Sequence, residues 1–593
     1  MTYEQAAVFL ILGGLLPAFV WGIWRYDVVA LAGLVVAVAA GVVPLEEAFS
    51  GFGHPAVVTV AAVLVISRGL ANSGAIDYVV QRLEPATGNT TLHVASLAAV
   101  AAALSAFMNN VGALALMLPV AMQSAAKAGR SPALLLMPLS FASILGGLAT
   151  LIGTPPNIIV AAYRGQASGQ PFAMFDYTPV GGTLAVIGVL LLALAGWRLV
   201  PEERRARKAA EDLFEIEGYV TEVRVPRGSK AVGMQAQEVE EVMGDHELLV
   251  IGLVRRKRRM FTGLRREILK AGDVLIVEAV PAAIDKLVSD LELKLVAGEA
   301  FQPSLLRSDE VTLVEAVVQP RSRMEGRSAR ELRLRSRHGA NLVAISRQGR
   351  PMHERLMSVR FRAGDVILLQ GEEDRVSDAL GWLGCLPLAG RGLHMGQRGR
   401  AGLAVGIFAL AIAAAVTGLI PLLLALAAAT LAMVVAGLVP PREVYEAVDW
   451  PVVILLGALI PVGQALETTG GTALIAGQLL DLAAGAPAAL LLVLLMVVTM
   501  TLSDIMNNAA TAVVMAPVGF GIAQAMGANP DPFLMAVAVG ASCAFLTPIG
   551  HQNNMLIMGL GGYRFGDYWR IGLPLEALVV LVATPIILWV WPL

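Results

Sequence analysis

Long apolar runs alternate with short polar connections in two parts of the chain, residues 1–200 and 401–593. A helix needs about 20 mainly apolar residues to cross a bilayer, and most of these runs are near that length. In the first part we predict spans near 5–24, 27–43, 55–72, 131–163 and 177–199. In the second part we predict spans near 401–420, 421–438, 451–467, 531–558 and 571–591. The pattern predicts an α-helical polytopic membrane protein with an internal repeat.

A longer apolar segment lies between the third and fourth spans of each part, at 91–127 and at 487–526. Both segments contain an asparagine pair followed by a proline: Asn109, Asn110 and Pro119 in one, and Asn507, Asn508 and Pro517 in the other. Unsatisfied amides are costly in lipid, and irregular backbone is tolerated there only against protein or a water-filled cavity. We therefore predict two re-entrant helical hairpins whose tips form a transport site.

The span after each hairpin is interrupted by a proline-containing stretch. The interruption Gly153-Thr154-Pro155-Pro156-Asn157 is matched here to Leu546-Thr547-Pro548-Ile549-Gly550. Proline removes a backbone donor and frees carbonyl groups one turn back. The two broken helices can therefore complete cation sites that the hairpin tips begin. A plain proline kink is the alternative.

An odd number of spans in each part places the two copies upside down relative to each other, which is the inverted-repeat plan of secondary transporters. The positive-inside rule is satisfied if the amino terminus is outside, because Arg164 alone then lies on the outer side. The residues expected on the cytoplasmic side are Arg25, Arg68, Arg82, Lys127, Arg130, Arg198, Arg442, Arg564 and Arg570. The first hairpin would then open toward the cytoplasm and the second toward the outside.

Charge is concentrated between the two apolar parts. Of the 44 Lys and Arg residues, 34 lie between Pro201 and Arg400, although the net charge of the chain is only −2. We predict a cytoplasmic α+β insert of two modules, 201–300 and 301–400, joined to the membrane by a charged helix at Glu202–Glu211. In each module an apolar strand ending in arginine precedes an Ala-Gly-Asp turn and another strand, with Arg255 and Asp273 in the first and Arg347 and Asp365 in the second.

The insert contains no pattern that indicates enzymatic chemistry, because it has no P-loop, catalytic triad or metal-ligand spacing. The run Arg255-Arg256-Lys257-Arg258-Arg259 could meet anionic lipid or a nucleotide, or could form a solvated turn between strands. The two cysteines, Cys385 and Cys543, are interpreted as packing thiols. We predict neither an organic cofactor nor a nucleic-acid partner.

Three kinds of side chain carry candidate chemistry in the membrane parts. Asn110 and Asn508 offer amide oxygens suited to Na⁺ and N–H groups suited to an anion, although asparagine pairs also cap and join helices. Asp504 is the only acid inside a hairpin core, so it can carry a proton, bind a cation or hydrogen-bond a helix end. His551 can titrate, contact substrate or act structurally.

These motifs resemble those of the divalent anion:sodium symporter family, within the ion transporter superfamily. In that family each hairpin tip carries Ser-Asn-Thr, which contributes to sodium and substrate binding. The matching triplets here are Asn109-Asn110-Val111 and Asn507-Asn508-Ala509. The Asn-Asn form is similar to the sulfate-permease branch, and the threonine hydroxyls missing at Val111 and Ala509 favour a compact oxyanion such as sulfate over a dicarboxylate. The insert resembles a tandem pair of RCK C-terminal (TrkA-C) modules, which interrupt transporters of that branch.

The resemblance implies particular site residues. Those expected to contact substrate are Asn109, Asn110, Val111, Thr154, Pro155, Asn507, Asn508, Ala509, Thr547 and Pro548. Those expected to bind Na⁺ are Ser105, Asn109, Asn110, Gly153, Ser503, Asn507, Asn508 and Thr547. It also implies a homodimer that moves its substrate by an elevator mechanism, and a small ligand, such as a nucleotide, at the insert.

We therefore expect a Na⁺-coupled symporter of a small divalent anion, sulfate before dicarboxylate, in a bacterial inner membrane. Cytoplasmic TrkA-C modules would regulate it. Two alternatives remain open at this point. One is a proton-coupled anion transporter or cation/proton exchanger that uses Asp504, and the other is a ligand-gated channel or membrane sensor. A potassium pore is disfavoured because the Thr-Val-Gly-Tyr-Gly filter sequence is absent.

Overall fold

The computed structural model describes 1–21, 24–74, 88–205, 220–242, 248–255, 258–260, 267–279, 281–295, 312–320, 322–347, 350–352, 356–388, 400–471, 474 and 487–593. The chain folds into two compact units, Met1–Ala206 with Arg391–Leu593, and Arg207–Gly390. Arg82, most of the predicted linker helix, and Arg256 and Lys257 of the basic run lie outside the described residues.

The first half of the apolar unit consists of helices that follow the predicted apolar runs. They are α1 (Tyr3–Trp21), α2 (Tyr26–Ala39), α3 (Pro55–Asn72), α4 (Thr90–Ser105), α5 (Asn110–Lys127), α6 (Ala133–Gly147), α7 (Pro155–Ser168) and α8 (Thr178–Leu199), followed by the short α9 (Glu202–Arg205). Helices α4 and α5 form the first hairpin, and α6 and α7 are the two pieces of the first broken helix.

The insert contains two five-stranded sheets. The first module has strands β1 (Val220–Arg224), β2 (Leu248–Arg255), β3 (Arg258–Met260), β4 (Val274–Ala279) and β5 (Lys294–Leu295), with helices α10 (Ala236–Val242) and α11 (Pro281–Asp290). The second has β6 (Thr312–Val318), β7 (Asn341–Arg347), β8 (Arg350–Pro351), β9 (Val366–Gly371) and β10 (Cys385–Pro387), with α12 (Leu334–His338) and α13 (Glu373–Leu383).

The second half of the apolar unit repeats the order of the first. Its helices are α14 (Ala401–Val416), α15 (Leu422–Val435), α16 (Pro441–Ala447), α17 (Trp450–Thr468), α18 (Ala488–Ile505), α19 (Asn508–Ala525), α20 (Pro530–Ser542), α21 (Gln552–Leu560) and α22 (Trp569–Val590). Here α18 and α19 form the second hairpin, and α20 and α21 are the pieces of the second broken helix.

Among the described residues, five helices are long and apolar enough to cross a membrane, or six if the bent pair α16 and α17 counts as one span. The five are Leu45–Asn72, Thr178–Leu199, Ala488–Ile505, Asn508–Ala525 and Trp569–Val590. Both arms of the second hairpin are among them. Several other apolar helices have only 14 to 16 residues and are shorter than a full span.

The broken helices lie at the centre of the apolar unit. In α6 every residue except Leu134 is buried, and in α20 all residues from Pro532 to Ser542 are buried. A helix that is apolar on every side must be enclosed by protein or lipid, and here the hairpins enclose it: α4 packs on α6, and α18 and α19 pack on α20. The hairpin tips therefore come close to the breaks.

Among the described residues, three ion pairs join the halves of this unit, of which the Arg68–Glu443 pair is the longest at 4.0 Å. Arg164 on α7 forms a bidentate pair with Asp531 on α20, with N–O distances of 2.6 and 2.8 Å, and its guanidinium lies 4.6 Å from the Phe172 ring centroid. The charge that departs from the positive-inside pattern is therefore compensated by a carboxylate. Arg204 on α9 donates to Asp567 at 3.1 Å, and its carbonyl accepts from Ser131.

The two modules of the insert have the same topology. The first sheet has the order β3-β2-β4-β1-β5, and the second has the equivalent order β8-β7-β9-β6-β10, with antiparallel pairing throughout. Each sheet also has an irregularity at the same place, between Val250 and Gly252 and between Leu342 and Ala344. The Cys385 thiol is buried in the second module, and burial raises its pKa to about 12, so it is an inert packing group.

The repeated Arg and Ala-Gly-Asp motifs form one ion pair in each module. Arg255 donates to Asp273 at 2.7 Å, and Arg347 donates to Asp365 at 2.7 Å, while each aspartate also accepts a backbone N–H three residues upstream. The bond to Asp273 raises the pKa of Arg255. Arg255 is therefore a structural residue rather than a free member of the basic run.

The Asp365 pair predicts a stability effect. An Asp365→Ala variant loses the largely buried ion pair with Arg347 and the acceptor for Arg362 N, which should destabilise the second module by about 3 kcal/mol. Pulse proteolysis of the full chain in urea, scored by cleavage between β6 and β10, measures this change. Glu372→Gln is the control, because its ion pair with Arg375 is exposed and is worth less than about 1 kcal/mol. Equal effects of the two substitutions would contradict this role for Asp365.

Candidate functional site

The tip of the first hairpin is built by two asparagines with different tasks. Asn109 is the N-cap of α5, and its Oδ1 accepts from Val111 N at 3.2 Å. Capping satisfies an N–H group that the start of a helix leaves free. Asn110 is the first residue of α5 and is only 1% exposed, so its amide faces the protein interior. The capping alternative therefore describes Asn109, whereas the Asn110 amide contacts Ser105 of the other hairpin arm and His551 of the second half.

The Asn110 amide contacts a group of oxygen atoms at one end and a histidine at the other. With Oδ1 toward the oxygens, it accepts from Ser105 Oγ at 2.7 Å, and Nδ2 lies 3.2 Å from His551 Nε2. After a half-turn of the amide, Nδ2 donates to Ser105 Oγ at 2.7 Å and to Ser143 O and Gly153 O at 3.2 Å each. In that orientation Oδ1 accepts from His551 Nε2 at 3.2 Å.

The oxygen-rich end of Asn110 is kept open by glycines. An added Cβ at Gly147 would collide with Asn110 Oδ1, and one at Gly153 would collide with Gly147 O and lie 2.9 Å from Ser105 O. Only glycine allows this close approach of the first break to the hairpin tip. Gly147 and Ser143 are absent from the predicted site, although Ser105, Asn110 and Gly153 are brought together as predicted neighbours.

The second half contributes directly to the first tip. Asn553 Nδ2 donates to Asn110 O at 3.2 Å and to Ser143 Oγ at 2.6 Å. His551 is the N-cap of α21, and its Nδ1 accepts from Asn553 N at 3.1 Å. The first turn of α21 is thus attached to the first hairpin and its broken helix through His551 and Asn553, by contacts that the sequence gives no means to foresee.

The second hairpin tip repeats the capping but not the contacts. Asn507 is the N-cap of α19 and accepts from Ala509 N at 3.0 Å, while half-buried Asn508 accepts from the same N–H at 2.8 Å. Ser503 donates to Ala541 O. An added Cβ at Gly550 would lie 2.5 Å from Ser503 O, so the second break also approaches its hairpin closely.

Equivalent hydrogen bonds show that the two breaks match in a register other than the one predicted. Thr150 and Thr547 donate to the carbonyls of Ala106 and Asp504, which are themselves equivalent hairpin positions. The pairing of Thr154 with Thr547 is therefore wrong, because Thr154 and His551 are the equivalent N-caps of α7 and α21. The prediction is wrong because it aligns the two Thr-Pro pairs with each other, although these pairs do not occupy equivalent positions in the two breaks.

Each break is bridged by a side-chain hydrogen bond from an asparagine at the equivalent position of its repeat. Asn157 Nδ2 donates to Thr150 O at 2.9 Å, and Asn554 Nδ2 donates to Thr547 O at 3.1 Å. The carbonyls of these two asparagines accept from Tyr177 and Tyr568. The sequence contains a signal for this match, since both breaks read Thr-x-Ile-Gly followed by Asn four residues later: Thr150-Leu-Ile-Gly-Thr-Pro-Pro-Asn157 and Thr547-Pro-Ile-Gly-His-Gln-Asn-Asn554.

The predicted Thr547 hydroxyl is already engaged. It donates to Asp504 O and accepts from Ile549 N and Gly550 N at 3.2 Å each. Thr154 Oγ1 is different, because it is buried without a hydrogen-bond partner among the described residues. Pro155 opens α7, whereas Pro548 lies inside the second break. The threonine that holds the first break is Thr150, which is not among the predicted site residues.

Asp504 lies against a second carboxyl group. Its Oδ1 accepts from Leu546 N at 2.9 Å, its Oδ2 is buried without a hydrogen-bond partner among the described residues, and its carboxyl group lies near that of Glu576 on α22. Glu576 Oε1 also accepts from Phe545 N at 3.4 Å. Two neighbouring carboxyl groups that are withdrawn from water favour a proton on one of them, because both cannot easily be charged at once. The sequence does not reveal Glu576, because it lies in the last apolar span, far from both hairpins along the chain.

Comparison with known proteins places the chain in a transporter family. The profile of the citrate transporter family (CitMHS) matches residues 16–540 and 473–592. The chain therefore belongs to this family of integral membrane transporters, which is not a class of enzymes. The resemblance drawn from the hairpin motifs is confirmed at the level of the family.

Individual relatives cover nearly the whole chain. An uncharacterized transporter of Synechocystis sp. is 32% identical over 571 residues, which are 95% of this chain and 93% of that protein. The uncharacterized transporter YfbS of Escherichia coli is 30% identical over 622 residues and covers 100% of both chains. Sodium/sulfate cotransporter 2 of Chlamydomonas reinhardtii is 20% identical over 751 residues, 91% of this chain and 84% of that protein.

The closing role of Asn554 predicts a large loss of stability on truncation. In Asn554→Ala, the buried carbonyls of Ala544 and Thr547 lose their donor and Ser140 Oγ loses its acceptor, so we expect a cost of about 2–4 kcal/mol. Thermal unfolding in detergent measures it. Asn529→Ala is the control, because Asn529 is the half-buried N-cap of α20 and its loss should cost about 1 kcal/mol. A cost for Asn554→Ala no larger than that of the control would contradict this role.

Proposed function

We propose that the protein is a Na⁺-coupled symporter of a small divalent anion, with sulfate the first candidate and a dicarboxylate the next. The observation that carries the proposal is the oxygen-rich end of the Asn110 amide. With Oδ1 turned inward, four oxygen atoms converge there: Asn110 Oδ1, Ser105 Oγ, Ser143 O and Gly153 O. An all-oxygen set of this kind suits a hard cation.

The same oxygens can be satisfied in two ways: without a cation the turned amide donates to them through Nδ2, whereas an inward Oδ1 needs a cation. Without one, an inward Oδ1 faces two carbonyl oxygens and has only the Ser105 hydroxyl as a possible donor. A bound Na⁺ would turn this unfavourable group of oxygens into ligands. Ser105, Asn110, Ser143 and Gly153 would hold it, and Gly147 leaves the space. We extend the role to Ser503, Asn508 and Gly550 at the second tip by the repeat.

Bound cations would also explain how the site attracts an anion. The hairpins contain no Lys or Arg from residue 90 to 126 or from 488 to 525, so a dianion would find no fixed basic residue on them. Cations at both tips, together with the first turns of α7 and α21, would supply the missing positive charge. The name of the sodium/sulfate cotransporter relative agrees with this chemistry. Missing hydroxyls at Val111 and Ala509 favour a compact oxyanion.

Further parts of the proposal concern organisation. We propose that the hairpins open to opposite sides of a bacterial inner membrane and that the chain forms a homodimer working by an elevator movement. We also propose that residues 201–400 form a cytoplasmic, TrkA-C-like regulatory region that binds a small ligand such as a nucleotide. The repeated sheet topology and the paired Arg–Asp motifs support a tandem of related modules.

A second candidate function rests on the carboxyl pair of Asp504 and Glu576. Two carboxyl groups side by side away from water favour a proton on one of them, so the pair could carry protons across the membrane in place of, or in exchange for, a metal cation. Asp504 has no acidic equivalent in the first half, where Ala106 takes its place. The proton-carrying function therefore needs only the second hairpin, whereas the sodium proposal uses both hairpin tips.

The sodium proposal predicts cation-dependent stabilisation that a glycine substitution removes. Na⁺ at a hundred times its dissociation constant should stabilise the purified protein by about 2.7 kcal/mol relative to choline, and sulfate should bind much more tightly when Na⁺ is present. Gly147→Ala should abolish both effects, because its Cβ would collide with Asn110. Gly112→Ala is the matched control, since nothing lies within 4 Å of an added Cβ there.

Two results would contradict the sodium proposal in this experiment. One is equal sulfate affinity in Na⁺ and choline, and the other is unchanged Na⁺ stabilisation in Gly147→Ala.

The two candidate functions predict opposite outcomes for Asp504→Asn. In proteoliposomes, a Na⁺-coupled symporter carrying Asp504→Asn should still accumulate sulfate from a Na⁺ gradient, since Asn110 and Asn508 are intact. A proton-coupled transporter should instead lose uptake driven by a pH gradient, because an amide cannot carry the proton. Radiolabelled sulfate uptake under each gradient alone measures the difference. Glu576→Gln serves as the companion variant, because it removes the other carboxyl group of the same pair.

A further inference from the structure

His551 makes two hydrogen bonds whose directions are linked. Its Nδ1 accepts from Asn553 N, so this nitrogen carries no proton, and the proton of the neutral ring is on Nε2. Nε2 therefore acts as a donor toward Asn110. The only acceptor that the Asn110 amide can offer at that end is Oδ1, and this requires the orientation with Nδ2 turned toward Ser105, Ser143 and Gly153.

The orientation that suits His551 excludes the one that suits a cation. A cation in the oxygen-rich pocket needs Oδ1 turned inward, which places the N–H groups of Asn110 3.2 Å from His551 Nε2. Two donors then face each other. His551 can keep the Asn110 contact only if its proton moves to Nδ1, and this would end the bond from Asn553 N. Otherwise the ring must move away from Asn110.

We propose that His551 is the positioning residue that transmits cation occupancy at the first hairpin to the second break. This inference rests on the sodium proposal and adds a pathway by which the cation site affects the second break. His551 cannot retain both hydrogen bonds when a cation is bound, so cation binding alters the N-cap of α21. No protein group gains or loses net charge in this step, because the amide turns and the ring either shifts or exchanges its two tautomeric positions.

The consequence falls on the first turn of α21, where the second break meets the hairpin. Asn553 N is a donor that His551 satisfies when the cation is absent, and Asn553 Oδ1 is buried without a partner among the described residues. When the cap is released, an N–H at a helix start becomes available to an anion. Binding a cation in one half would thus prepare an anion contact in the other half. The first half has no counterpart, because Thr154 occupies the place of His551.

The test compares two histidine N-caps. His551→Asn keeps the cap, since asparagine is a good N-cap residue, but it is too short to reach Asn110. His54→Asn is the matched control, because His54 caps α3 in the same way, through Ala56 N at 3.2 Å, and its other nitrogen contacts Gln166 instead. Na⁺ dissociation constants are measured by thermal shift on the purified full chain against choline, with and without sulfate.

We expect His551→Asn to bind Na⁺ about 3- to 10-fold more tightly than the wild type, because the hydrogen bond that held Asn110 in the cation-free orientation is gone. The factor by which Na⁺ raises sulfate affinity should fall by about 3-fold or more. His54→Asn should match the wild type in both quantities. Unchanged or weaker Na⁺ binding in a folded His551→Asn protein would overturn the inference and leave the sodium proposal intact.

Asn110→Asp tests the same route without altering the histidine. A carboxylate can accept from His551 Nε2 and present its other oxygen to the cation, so both bonds of His551 survive cation binding. The sulfate coupling factor should therefore fall in Asn110→Asp, and adding His551→Asn should change it no further. Full coupling in Asn110→Asp would overturn the inference. No Na⁺ effect in the wild type would overturn the sodium proposal itself.

Discussion

The structure depends on one constraint: the backbone polar groups that an interrupted helix exposes inside an apolar unit need partners within the protein. Two hairpin tips and two breaks expose backbone N–H and C=O groups that a continuous helix would have satisfied. The chain meets this demand with asparagine and threonine side chains. Asn109 and Asn507 cap the tips, Thr150 and Thr547 join each break to its hairpin, and Asn157 and Asn554 close the breaks. The asparagines and threonines around the candidate site therefore also hold the fold together.

The residues that differ between the two halves are the best candidates for function, because the shared residues already serve the structure. Both halves use the same cap and the same Thr-x-Ile-Gly sequence, but only the second half has an acid at the hairpin and a histidine at the N-cap of its broken helix. Asp504 meets Glu576, and His551 meets Asn110 of the opposite half. The proposed cation site in one repeat is thus in contact with the helix start of the other. Coupling between two solutes requires a contact of this kind, in which occupancy at one site changes the groups offered at another.

Much of the fold could be predicted because apolar periodicity and repetition are local signals. The hairpins, the breaks and the two sheet modules follow from run length, paired asparagines and the repeated Ala-Gly-Asp turn. Contacts between distant segments could not be predicted. In the sequence, Glu576 is an isolated acid near the start of a span, and Ser143 is one small residue in an apolar helix. His551 is only a histidine close to a proline. Their roles appear only when α6, α21 and α22 pack around the hairpin tips.

The register of the breaks shows a different limit. The two Thr-Pro pairs are conspicuous, yet Thr154 and Thr547 are not equivalent, and the true correspondence is set by hydrogen bonds to Ala106 and Asp504. Binding of a cation against Asn110 can be observed as density in structures determined in Na⁺ and in choline. We expect Na⁺-dependent density between Asn110 Oδ1, Ser105 Oγ, Ser143 O and Gly153 O. Identical maps with Asn110 Nδ2 hydrogen-bonded to those oxygens in both conditions would contradict it.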